Sequence, residues 1–158
     1  MAKAAKPVPE GYHTITPSLV LDSAASTIDW YKKALGAEEV SRSVGPDGKI
    51  MHAELKIGDS RFMMNDVMMG GKGPQTYGGS PASFWLYVQD SDALFNRAVA
   101  AGAKVQMPIT DQFWGDRAGA VSDPAGYSWW IATRKEDLTQ SEIQQRAAEF
   151  FKQMAPQH

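Results

Sequence analysis

Apolar and polar residues recur along this chain with two periods, and the periods alternate in the same order twice. From His13 to Leu21, β-branched residues and leucines predict a strand, which Pro17 marks as an edge or bulged one. Asp22 or Ser23 then caps a helix ending at Leu35, with Ala24, Ile28, Tyr31 and Leu35 at helical spacing and Gly36 as the stop. Glu38–Val44, the turn Gly45–Gly48 and Lys49–Ile57 predict a hairpin. Its second strand sets Met51, Ala53, Leu55 and Ile57 on one face and Ile50, His52, Glu54 and Lys56 on the other. The turn Gly58-Asp59-Ser60 leads into a strand over Arg61–Asp66.

The order then repeats. Ser83–Val88 predicts a strand, and Asp90 or Ser91 caps a helix bearing Leu94, Phe95, Ala98, Val99 and Ala101, stopped by Gly102. Lys104–Ile109, Ala118–Ser122 and Tyr127–Thr133 read as strands, with a turn at Asp123–Gly126. Gly36-Ala37 and Gly102-Ala103 end the two helices 66 residues apart. The same offset carries Pro17 to Ser83, Phe62 to Ser128, Met64 to Trp130, and His52 and Glu54 to Ala118 and Ala120, without a net insertion. A strand–helix–strand–strand–strand unit is thus duplicated. The expected organisation is a loose arm over 1–11 and paired modules over 12–134 (12–67 and 82–134). A Gly- and Pro-rich linker over 68–81 joins the modules, and 135–158 forms a helix and tail. In the tail, Thr139 and Glu142 make a capping box ahead of a stripe of Ile143, Ala147, Phe150, Phe151 and Met154.

Composition narrows the partners. A net charge of −2 with interspersed signs leaves no basic stripe for nucleic acid. Cysteine is absent, which excludes thiol catalysis and thiolate metal sites. No segment has the ~20 apolar residues of a membrane span, and the N-terminus has no apolar run of signal-peptide length. A cytoplasmic protein is expected.

The most concentrated chemistry lies in Asp111-Gln112-Phe113-Trp114-Gly115-Asp116-Arg117. Read as a loop, it can close over a ligand, its rings covering apolar surface and Arg117 offering planar donors. Alternatively it is a rigid connection in which Arg117 pairs with Asp116 or Asp123.

The duplicated unit, together with Ile28-Asp29-Trp30-Tyr31, Pro46-Asp47-Gly48-Lys49, Phe113-Trp114-Gly115-Asp116-Arg117 and Asp123-Pro124-Ala125-Gly126, resembles the vicinal oxygen chelate superfamily of glyoxalases, bleomycin-resistance proteins and dioxygenases. The resemblance is to its PhnB-like branch in particular. It implies an α+β fold in which two tandem βαβββ modules form a curved mixed sheet around a cavity, followed by the C-terminal helix, and it implies a homodimer. In the metal-using members one His or Glu comes from the first and last strands of both units. Carried over, those places fall near Ile15–Pro17, at Met63 or Met64, at Ser83 and at Trp130, and none is a metal-ligating acid or histidine. No cofactor is expected, with a divalent metal as the alternative.

With the repeat in register, Phe62, Met64, Ser128 and Trp130 face the hollow, as do Ser83, Trp85 and Tyr87 on the fifth strand and His52 and Glu54 on the third. The candidate ligand-binding residues are therefore Phe62, Met64, Trp85, Tyr87, Trp114, Arg117 and Trp130, with Trp85, Trp114 and Trp130 able to sandwich a planar ligand or cation. His52 and Glu54 form the candidate acid/base pair. Trp130 is equally consistent with a plug. The expected function is metal-independent binding of a small molecule in an aromatic cavity. The alternative is a lyase, isomerase or dioxygenase with a relocated metal around His52 and Glu54, joined by Asp66 or His13. A third reading makes the tail helix a surface for assembly or regulation.

Overall fold

The computed structural model describes residue 4 and residues 6–154; the remaining residues of the N-terminal arm, 1–3 and 5, and the end of the tail, 155–158, lie outside the described residues. The chain forms two compact units, one comprising the residues up to Pro81 with the segment Asp123–Tyr127, the other the rest.

The first unit contains β1 (Ser18–Leu21), α1 (Ala24–Leu35), β2 (Glu38–Val44), β3 (Ile50–Ile57) and β4 (Ser60–Asp66). Its sheet has the order β1-β4-β3-β2, with β1 parallel to β4 and the other pairs antiparallel. The expected helical stripe is buried: Ala24, Ile28 and Tyr31 are fully enclosed, and Gly36 ends α1 at φ 69°. Ser23 occupies the cap position but its side chain makes no capping bond. The first helical amide is satisfied instead by Asp66, whose Oδ1 accepts from Ala24 N at 2.7 Å while Oδ2 accepts from Ile50 N at 2.8 Å. A free helix amide takes whichever acceptor the tertiary fold supplies. Residues 68–81 include a single 3-10 turn, Pro74–Tyr77.

Two expectations about faces fail here. Met51 is exposed while Ile50 is buried, because β2 and β3 slip register between Ser43 and Val44 and so reverse the alternation at the strand's start. Phe62 and Met64 do not share a face with His52 and Glu54. They lie opposite Leu55 and Ala53 on the side covered by α1, 5% and 1% exposed, with Phe62 edge-on to the Tyr31 ring. They are core, and no ligand reaches them in this arrangement.

The second unit contains β5 (Ser83–Tyr87), α2 (Ser91–Ala100), β6 (Lys104–Asp111), β7 (Asp116–Ser122), β8 (Ser128–Arg134) and α3 (Gln140–Met154). The order is β5-β8-β7-β6, again with the outer pair parallel. Asp90 caps α2 by accepting from Ala93 N at 2.9 Å. Beneath α2 lie Val121, Trp129 and Ile131, all buried, with Phe95 above them. At α3 the capping box forms: Thr139 N donates to Glu142 Oε2 at 2.8 Å and Glu142 N to Thr139 Oγ1 at 3.3 Å. None of its residues is fully buried.

The segment read as a closing loop is a tight hairpin turn. Strands β6 and β7 extend to Asp111 and from Asp116, and Gln112 N donates to Asp116 O at 2.7 Å. Gly115, at φ 96°, makes the reversal.

The duplication holds as topology, but the single 66-residue offset does not. Ser18 lies opposite Met63 and Ser83 opposite Ser128, so the outer strands repeat after 65 residues. Two residues join the paired ends Ile57 and Ser60, whereas five, Asp123–Tyr127, join Ser122 and Ser128. Although that turn is longer, the strand arms are shorter: eight residues separate the paired Glu54 and Met63 and five separate the paired Ser122 and Ser128. The third strand's equivalents therefore lie 68 residues apart, Ala53 corresponding to Val121, while Met64 corresponds to Trp129 at 65. With a strand period of two, an error of one residue exchanges the faces.

Candidate functional site

Each sheet has one face under a helix and one face that the helix leaves open. In the first unit the open face is ionic. His52 Nε2 lies 3.3 Å from Glu54 Oε1, and Arg61 Nη1 lies 3.7 Å from Glu54 Oε2. The Arg61 guanidinium also sits over the Tyr12 ring, 5.2 Å from its centroid. The buried Tyr12 hydroxyl lies beside Glu54 and makes no hydrogen bond of ordinary geometry among the described residues. Together Tyr12, His52 and Arg61 hold the Glu54 carboxyl below the usual carboxylate range. Burial first, and then Glu54, push the Tyr12 hydroxyl up. Sequence reading found His52 and Glu54 and missed Tyr12 and Arg61. Arg61 was legible as the residue two before Met63 on the same face, opposite Lys56.

This donor set does not fit a divalent ion. Both Glu54 oxygens already face a basic side chain, and a guanidinium beside the carboxylate repels a second cation. Asp66 cannot join them: it alternates with Met64 onto the helix side, where both of its oxygens accept backbone amides. His13 is exposed and precedes β1. Among the described residues no group of three or more His, Asp or Glu side chains could hold a metal. At the outer strands the paired positions are Ser18 with Met63 and Ser83 with Ser128, hydroxyls and a thioether.

In the second unit the open face is aromatic. Trp85 and Trp130 are register partners on β5 and β8, and their rings stack at 4.8 Å with 10° between planes. Tyr87 and Trp114 flank Trp85 at 6.3 Å and 6.2 Å. The strands below carry Ala118, Ala120 and Ala132, whose methyl groups allow rings to lie close over the sheet. Trp85 is 39% exposed and Tyr87 63%. The expected sandwich is excluded as arranged: the two indoles fill the space between them with their own contact, and what remains is a platform. Trp129, one residue from Trp130, lies under α2 at 2% exposure, against Phe84.

Asp116 organises the edge of this platform. Its Oδ2 accepts from Tyr87 Oη at 2.9 Å and from Trp114 Nε1 at 2.9 Å, and the residue is 4% exposed. Burial, followed by the Asp116 carboxylate, raises the Tyr87 hydroxyl above its ordinary value. Reading residues 111–117 as a loop hid this role, yet Trp114, Asp116, Ala118 and Ala120 alternate with the period of a strand.

Arg117 points the other way. It pairs with neither Asp116 nor Asp123; it donates from Nε and Nη2 to Asp92 at 2.6 Å and 2.9 Å, and from Nη1 to Asp111 at 3.1 Å. Asp92, then Asp111, raise its already high pKa. Its register partner is Thr133, on the α2 side of the sheet, so Arg117 ties α2 to the hairpin and is removed from the platform.

Comparison with known proteins agrees with this architecture. A protein of Mycobacterium tuberculosis without assigned function is 46% identical over 135 residues, spanning 82% of this chain and 79% of that one. The crystal structure of TioX from Micromonospora sp. ML1 superposes with a TM-score of 0.63 at 25% identity, covering 80% of this chain and all of TioX. A PhnB protein from Bacillus cereus, 21% identical over 77% of this chain and 99% of its own, shares the fold with a TM-score of 0.60. Residues 12–131 match the family model of this fold, and the chain therefore belongs to the Glyoxalase/Bleomycin resistance protein/Dioxygenase superfamily.

Proposed function

We propose that this chain binds a planar small molecule on the aromatic face of its second sheet, without a resident metal, as a cytoplasmic homodimer. The observation that carries the reading is the half-exposed Trp85 stacked on Trp130 and flanked by Tyr87 and Trp114. Leaving this much aromatic surface in water costs free energy unless a ligand covers it. A flat ring laid on Trp85 recovers part of that cost and gains stacking of about 1 kcal/mol beyond burial. Binding rather than turnover is favoured because the platform is built mainly of rings and methyl groups. The ionic cluster around Glu54 supplies acid/base groups on the first sheet.

Calorimetric titration with a panel of planar heteroaromatic compounds tests the reading. At least one should bind, and Trp85→Ala should weaken it about tenfold or more. A panel with no binders, or an affinity indifferent to Trp85→Ala, overturns it. Light scattering of the purified chain reads the oligomeric state independently.

A further inference from the structure

The platform has a polarity that its rings alone do not explain. Asp116 is 4% exposed, yet no basic side chain comes within ion-pair distance of it among the described residues. Arg134, its register partner, turns its Nε to Asp137 at 2.8 Å, and Arg117, its sequence neighbour, is committed to Asp92 and Asp111. Lys135 lines the same open hollow of about 430 Å³ as Asp116 without forming an ion pair with it. Both donors to the carboxylate among the described residues, the Tyr87 hydroxyl and the Trp114 indole N–H, are neutral and converge on Oδ2. Oδ1 has no hydrogen-bond partner among the described residues.

The carboxylate is mostly enclosed but its second oxygen is not sealed off, since Asp116 lines the open hollow, so it remains available to a cation that arrives there. Here the rings that hold the carboxylate are the rings that flank Trp85. Tyr87 and Trp114 each lie within 6.3 Å of Trp85 and each donate to Asp116, so the negative charge sits at the rim of the stacking surface. Indole and phenol faces add their own attraction for cations.

Building on the proposed binding reading, we infer that the platform selects planar ligands carrying a positively charged nitrogen, with Asp116 as the countercharge and Trp85, Tyr87 and Trp114 as the surrounding rings. The ligand class is an aromatic or heteroaromatic cation. Neutral rings of the same shape stack on Trp85 but leave the carboxylate unpaired.

The test compares N-methylquinolinium with quinoline at mildly alkaline pH, where quinoline is neutral, by calorimetric titration of the full chain. The cation should bind about tenfold tighter or more in the wild type. In Asp116→Asn, which keeps an acceptor for both donors, most of this preference should be lost, leaving the part the rings supply, while quinoline affinity is retained. Should Asp116→Asn fail to fold, the wild-type indole N–H resonance of Trp114 serves instead: it should move with the cation and stay in place with quinoline. Equal binding of the two probes in the wild type overturns the charge inference and leaves the stacking platform standing. So does a cation preference that is undiminished in a folded Asp116→Asn. If neither probe binds, both readings fall.

Discussion

Replacing Gly119 with alanine tests the packing that separates the two faces of the second sheet. Gly119 lies on β7 under α2, and an added Cβ would sit 2.8 Å from Phe95 Cε2 and 2.9 Å from both Cα and N of Ile109. Comfortable carbon contacts begin near ~3.5 Å, so three atoms must each withdraw by roughly 0.7 Å. Phe95 is 6% exposed and has little room to retreat. Ile109 belongs to the stretch between Met107 and Thr110 where β6 slips register against β7, and there its backbone crosses over Gly119. Overpacking of this kind costs about 1–3 kcal/mol. Because one of the two obstacles is main chain, we expect no less than the middle of that range, about 2 kcal/mol, which for this chain length lowers Tm by roughly 4–8 °C. Urea unfolding followed by tryptophan fluorescence reads the change, with the m-value unaltered. Phe95→Leu in the same background should return part of the loss, since it removes the ring contact and leaves the Ile109 contact in place. A Gly119→Ala variant within about 0.5 kcal/mol of wild type would refute the close approach.

Other perturbations address the first unit and the metal question. Tyr31→Phe deletes the buried hydroxyl that donates to Asp123 Oδ2 at 2.6 Å, and a hydrogen bond to a charged acceptor of this kind is worth about 2 kcal/mol in denaturant unfolding. Glu54 has a depressed folded pKa, so its stabilisation is complete above the unfolded carboxylate value near ~4.3 and is lost as pH falls through the lower folded value. Glu54→Gln should therefore flatten the acid limb of the stability profile below that point and leave its neutral region parallel to wild type; an unchanged acid limb would count against the cluster. Incubation with Zn, Mn, Ni or Fe salts should leave Tm unmoved and yield only substoichiometric metal on elemental analysis, whereas a stoichiometric ion with a raised Tm would restore the metal-dependent alternative.

Much of this molecule was legible because its signals are local. Helical spacing of Ala24, Ile28, Tyr31 and Leu35, the glycine after each helix, and the Thr139–Glu142 box all act over one or two turns and appear as expected. The repeated βαβββ order follows from such signals added together. The ring-bearing residues Trp85, Tyr87, Trp114 and Trp130 were likewise visible, because strand alternation alone sets Trp85 and Tyr87 on one side of β5.

What the tertiary structure decided was phase and pairing. The register of the parallel outer strands is invisible to a periodicity count, yet it determines that Met64 corresponds to Trp129 and lies in the core, and that Trp130 reaches the open face. Arg117 stands next to Asp116 in the chain and bonds to Asp92, 25 residues away, because neighbouring residues of a strand point to opposite sides. The same geometry leaves Asp116 among rings instead of beside a guanidinium. Composition could supply the acid and the aromatics; only the hydrogen-bonded register of three strands could set that acid at the edge of the stack.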